Sequence, residues 1–154
     1  VEAAEPGAVY DLGGGVTLTI LGPLTDYDDL NLTSVVCRVD AGARSFLFTG
    51  DMEREAEQDL LEAGADLDAD VLKVGHHGAS TSSTEDFLAA VSPAASVIEV
   101  GTGNSYGHPT GQTLERLQSY GPIYRTDLDG AVVVATDGVS LTVTTENGTS
   151  EVLM

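Results

Sequence analysis

"VLKVGHHGASTSSTEDFLAAV", residues 71–91, runs from an apolar stretch through paired histidines into a capped apolar stripe. Asp70 to Val74, "DVLKV", reads as a strand. Ser83 with Asp86 three residues on is a capping-box pattern ahead of Phe87, Leu88 and Val91. Strand, turn and helix in this order form the repeating unit of an α/β fold, and the flanking chain repeats it. "SFLFT" (45–49) precedes "MEREAEQDLLEAG" (52–64), a helix with apolar positions 56, 60, 61 and 63 and Gly64 as its C′ residue. "ASVIEV" (95–100) precedes "TGQTLERLQSYG" (110–121), a helix closed by Gly121 and Pro122. The right-handed crossover rule then predicts parallel neighbours with helices packed on one face.

Upstream, "VTLTIL" (16–21) reads as a strand followed by a polar loop, and "SVVCRVD" (34–40) pairs with 45–49 across "AGAR" as an antiparallel hairpin. Downstream, "AVVVATDGVSLTVTTENGTSEVL" is β-rich with Asp137-Gly138 and Asn147-Gly148 as hairpin signals, predicting an antiparallel ribbon on the sheet edge. The expectation is one α/β domain over residues 1–154, with a mixed sheet. No internal repeat or linker interrupts it.

Composition narrows the function. Six Lys plus Arg against 25 Asp plus Glu give a net charge of −19, which opposes nonspecific coating of nucleic acid. A phosphate substrate stays compatible with such a chain if metal cations line the site. No apolar run reaches the length of a membrane span, so no membrane contact by this segment is expected, and no signal-peptide pattern opens the chain. Cys37, the single cysteine, reads as a small hydrophobe in a strand. "TDYDD" (25–29) lacks calcium-loop spacing, and the sequons at Asn31 and Asn147 are too short to carry an inference. Nucleophile-elbow, P-loop and dinucleotide fingerprints are absent.

Ligands of open α/β sheets gather beyond the carboxyl ends of the strands. There the chain places Asp51, then His76 and His77, then Asn104, Tyr106 and His108, so all three histidines share one edge. Imidazole and carboxylate are the donors of a Zn²⁺ or Mn²⁺ site, and the chemistry on offer is metal-assisted hydrolysis. Successive side chains of extended backbone point opposite ways, so one histidine of the pair can ligate while the other faces substrate, with Gly75 and Gly78 leaving room for backbone approach. Taken singly, Asp51 also fits a helix N-cap, His108 a loop histidine and Lys73 a partly covered surface lysine.

"LNLTSVV", "SFLFTGD", "ADVLKVGHHGASTSS", "SVIEVGTGNSYGHP" and "YRTDLDGAV", within residues 16–136, resemble the metallo-β-lactamase-fold domain of ComEC-type DNA-internalisation competence proteins. The resemblance implies the second half of an αββα sandwich and a hydrolase with two divalent metal ions, acting on phosphodiester bonds, with DNA as a candidate substrate during uptake. Asp51 looks like the bridging carboxylate and His77 like the last histidine ligand. His76 resembles a residue that steadies charge on phosphoryl oxygens. Asn104 and Tyr106 would line the pocket, and His108 would serve as a proton donor to the leaving group.

The family's upstream H-x-[HD]-x-D-H motif is missing, since none of the three histidines lies in that pattern. The resemblance therefore implies that Val1 lies within a longer protein, that the missing half completes the site, and that this segment alone holds one metal or none. The sheet face opposite the helices is expected to be apolar and open to that half or to a second copy. Extracytoplasmic or membrane-associated placement through the longer parent follows from the same resemblance. The competing expectation is a metal-free interaction module that keeps the fold without the chemistry.

Overall fold

A computed structural model describes residues 3–148 and 150–153. Val1, Glu2, Thr149 (the last residue of the second sequon) and Met154 lie outside the described residues. One seven-stranded sheet is laid out in chain order: β1 (Val9–Gly13), β2 (Val16–Gly22), β3 (Val36–Ala41), β4 (Arg44–Phe48), β5 (Val71–Lys73), β6 (Ala95–Ile98) and β7 (Ile123–Arg125). β1 to β4 pair antiparallel, and β4 to β7 pair parallel. The change of direction falls where the sequence changes from hairpin turns to crossover helices. Those helices are α1 (Arg54–Glu62), α2 (Glu85–Val91) and α3 (Gly111–Leu117), with a short α4 (Thr126–Asp129) after β7.

Period-two alternation sorts the central strands between two faces. Leu47, Leu72 and Ile98 point toward the helices, where they join Leu60, Phe87, Leu88 and Leu117 in one buried cluster. Phe46, Val71, Ala95 and Val97 point the other way. That second face receives the C-terminal ribbon, a separate three-stranded antiparallel sheet of β8 (Val132–Thr136), β9 (Leu141–Thr145) and β10 (Ser150–Leu153). The ribbon lies across the face and, among the described residues, makes no ladder with the sheet edge, because Leu141, Val143 and Leu153 have to be buried against Val71, Ala95 and Tyr124. It covers the face only in part. A groove of about 390 Å³ remains, with Phe46, Phe48, Val97 and Lys73 in its lining, and Phe48 is 42% exposed.

The helix ends differ from the expectation in one place. Thr84, and not Ser83, caps α2: its side chain accepts from Phe87 N–H at 3.4 Å. Ser83 is left-handed (φ 54°) and its amide goes instead to the buried Glu57 carboxylate. Gly64 follows α1 at φ 67°, as a C′ residue should. β1 and β7 are not anticipated from the sequence. All five residues of β1 are exposed and carry no alternation, and β7 is only three residues between Gly121-Pro122 and α4.

Candidate metal centre at the ends of β4, β5 and β6

Each loop at the carboxyl end of β4, β5 and β6 delivers part of the site. Thr49-Gly50-Asp51 follows β4, and the Asp51 amide donates to Ser34 Oγ at 3.0 Å. The N-cap of α1 is Glu53, which makes no side-chain cap bond, so the Asp51 carboxylate is not spent on the helix. Gly75–Gly78 after β5 is a tight turn in which His76 (φ 46°, ψ 44°) and His77 (φ 53°, ψ 24°) are both left-handed. The backbone here is not extended, which corrects the expectation of simple alternation. A left-handed non-glycine residue costs of order 1–3 kcal/mol and persists only where its surroundings over-determine it.

Those surroundings are visible. His76 N–H donates to Gly50 O at 3.1 Å, Ser82 Oγ to Gly75 O at 2.8 Å, and Thr110 N–H to Gly78 O at 3.0 Å. Gly78 has to be glycine: it sits at φ 81°, and a Cβ there would lie 2.6 Å from Pro109 Cβ.

The turn aims His77 at Asp51. Its Nδ1 lies 2.7 Å from Glu99 O, and a carbonyl only accepts, so Nδ1 carries the proton. Nε2 is left with a lone pair, 3.4 Å from Asp51 Oδ1. Two acceptors facing one another at this distance call for a cation or a proton between them. A backbone carbonyl fixing the distal nitrogen of an imidazole is also how metal-ligating histidines are held. The pair therefore fits a divalent metal by donor type and by tautomer. Among the described residues no group of three or more His, Cys, Asp or Glu is placed to hold an ion, so the two residues make an incomplete set.

The other histidines extend the site outward. His76 and His77 ring centroids are 6.4 Å apart, His76 and His108 5.6 Å, and Tyr106 stacks on His108 at 6.2 Å with 17° between planes. Glu53 Oε1 stands 2.8 Å from His76 Nδ1, near enough for an ion pair, while that buried nitrogen makes no well-directed hydrogen bond. His108 Nδ1 is likewise buried, with no hydrogen-bond partner among the described residues. Burial, with smaller contributions from the charges of His76 and His77, pushes the His108 pKa below 6.5. Tyr106 is 82% exposed at the mouth. Asn104 turns inward to its own loop, accepting from His108 N–H at 3.2 Å and donating to His108 O at 2.7 Å.

Sequence reasoning missed the supports behind the turn. Glu57 is 1% exposed, and Arg116 donates to Ser80 O, Ser82 O and Thr113 Oγ1. A glutamate on the apolar side of α1 was the available signal.

Comparison with known proteins agrees with the fold. The family described as the Metallo-beta-lactamase superfamily matches residues 3–101. ComE operon protein 3 of Bacillus subtilis (strain 168) is 38% identical over 103 residues, covering 66% of this chain and 13% of that protein. Competence protein ComA of Neisseria gonorrhoeae is 43% identical over 106 residues, covering 68% of this chain and 15% of that protein. Recombination protein 2 of Haemophilus influenzae is 40% identical over 90 residues, 58% of this chain and 11% of that protein. The chain thus spans only 13% and 15% of the length of the first two relatives. A family match over most of the chain, on a sheet whose loops bring Asp51 to His77, places this protein in the metallo-β-lactamase superfamily.

Proposed function

We propose that this chain carries part of the site of a metal-dependent hydrolase that cleaves phosphodiester bonds, a nuclease acting in DNA uptake. The observation that carries the reading is the His77 Nε2 lone pair facing Asp51 Oδ1 at 3.4 Å, with Nδ1 committed to Glu99 O. Members of the superfamily bind divalent metals, and Asp51 and His77 are the residues that would hold one here, with Zn²⁺ and Mn²⁺ the candidates. The chemistry such a metal would supply is a lowered pKa of bound water and polarisation of a phosphoryl oxygen.

The chain's own residues divide the remaining work. His76, beside His77 in the turn, contacts the phosphoryl oxygens. His108 serves the leaving oxygen as proton donor, and because burial disfavours its imidazolium the donating form has to be populated on substrate binding. Tyr106 offers an exposed ring to the substrate, and Asn104 holds the loop that carries both. The missing ligands come from an upstream half of the same domain, entering against the open groove beside Phe48, with a second copy of this chain as the competing occupant. The whole protein works in an extracytoplasmic or membrane-associated setting through its other segments; among the described residues no helix is long and apolar enough to cross a membrane.

Metal content, measured by mass spectrometry on chain purified without chelator beside a His77→Ala control, tests the half-site. Close to one transition metal, lost in the control, supports it. A Mn²⁺- or Zn²⁺-dependent phosphodiesterase assay on the full-length protein tests the activity, and activity surviving both Asp51→Ala and His77→Ala would overturn the assigned roles. The second reading, a metal-free interaction module, is favoured by the absence of a three-ligand group among the described residues and by the −19 charge. A ligand-bearing upstream motif in the full-length sequence disfavours it.

A further inference from the structure

Lys73, the only lysine in the chain, ends β5 on the groove side of the sheet, opposite Phe48 in the parallel register. A lysine in such a place usually lays its stem on apolar neighbours and sends its ammonium to water. This one does not. Its side chain is 15% exposed, and Nζ donates to Gly50 O at 3.2 Å and lies 3.9 Å from Glu99 Oε2.

Both contacts lead to the candidate metal pair. Gly50 precedes Asp51 in the chain, and its carbonyl also accepts from His76 N–H at 3.1 Å, tying the β4 loop to the histidine turn. Glu99 supplies the carbonyl that orients His77. One ammonium therefore touches the backbone that presents Asp51 and the residue that orients His77. A cation withdrawn from water is costly unless its hydrogen bonds are made, so the contacts hold Lys73 in place as firmly as Lys73 holds them. We propose that Lys73 is a positioning residue, setting the separation of Asp51 from His77 by bridging Gly50 and Glu99. Its bearing on metal binding rests on the reading of Asp51 and His77 as ligands; the geometric claim does not.

The test uses Lys73→Met, which keeps the stem and removes the ammonium, and Lys73→Arg, which restores a cation. Long-range ¹⁵N–¹H spectra of the histidine rings at pH 8, without metal, report the His77 tautomer. Co²⁺ titration, followed by its visible absorption, reports affinity. The expected result is a single Nδ1–H tautomer in the parent chain, a mixed population in Lys73→Met, Co²⁺ affinity lower by about tenfold, and recovery in Lys73→Arg. A Lys73→Met chain with the parent tautomer and parent Co²⁺ affinity, whatever its stability, overturns the proposal. If the unsubstituted chain binds no Co²⁺, metal binding by this segment alone fails while the tautomer comparison still decides the role of Lys73. Should Lys73→Met not fold, Glu99→Gln, at a carboxylate 62% exposed, removes one tether. A shift toward mixed tautomers there supports the proposal, and an unchanged spectrum overturns it.

Discussion

Glu57 Oε1 accepts the Ser83 amide at 2.5 Å while Oε2 accepts the Thr84 amide at 2.9 Å, so a carboxylate on α1 holds the entry to α2. Glu57→Ala leaves both amides without their acceptor in a buried setting, and should cost about 2–4 kcal/mol. Urea unfolding measures it, and a loss below about 0.5 kcal/mol would show that the carboxylate is dispensable.

The same carboxyl gives a pH signature. Burial is the largest influence and raises its pKa above 4.5, against the opposing hydrogen bonds from Thr84 and Ser83 and the charge of Arg116. The folded chain then holds this proton more tightly than the unfolded chain. Its contribution is full below 4.5 and fades as pH rises through the raised folded value. Glu57→Gln should flatten that limb of the urea-midpoint profile relative to the parent.

His108 behaves in the opposite sense. Its folded pKa lies below 6.5, so its stabilising contribution is present above 6.5 and is lost as pH falls toward the lowered value. NMR titration of the ring should give a midpoint under 6.5. Because burial outweighs the charge of His76, His76→Asn should raise that midpoint only part of the way.

Ser92 ends α2 in the left-handed region (φ 48°) and is exposed, with its amide bonded to Leu88 O. Glycine carries no Cβ penalty there, so Ser92→Gly should stabilise the chain by about 0.5–1 kcal/mol, read as a higher urea midpoint.

The half-covered sheet face should make the isolated chain self-associate. Sizing at rising concentration is expected to show mass above that of one chain, and Phe48→Ser, at the groove, should weaken the effect. A monomer at every concentration would count against the face as a docking surface.

The parallel half of the fold was legible because each strand ends in a turn and a capped helix, signals carried by a few adjacent residues. Asp51, His76, His77 and His108 could be placed on one edge by that rule alone. Less legible was whatever depends on distant partners. The left-handed pair His76-His77 is stabilised by Gly50, Ser82 and Thr110, none of which neighbours it in sequence. The seat of the ribbon is set by which apolar residues of β9 and β10 meet Val71 and Tyr124, a matter of assembly that hairpin signals do not encode. Lys73 looked like surface because its two partners lie on other strands' loops.

The ribbon also has a place in time. Its β8–β9 turn is latched onto the β3–β4 turn, with Ala43 N–H donating to Gly138 O at 2.7 Å and a Cβ at Gly42 coming within 2.5 Å of the same oxygen. Residues nearly a hundred positions apart, such as Arg44 and Val139, have to meet for this latch to close. Closing a loop of that length costs more chain entropy than closing the shorter crossovers of the helical face. During synthesis the groove face therefore stays without this cover until the ribbon, the last part of the described chain, has been made.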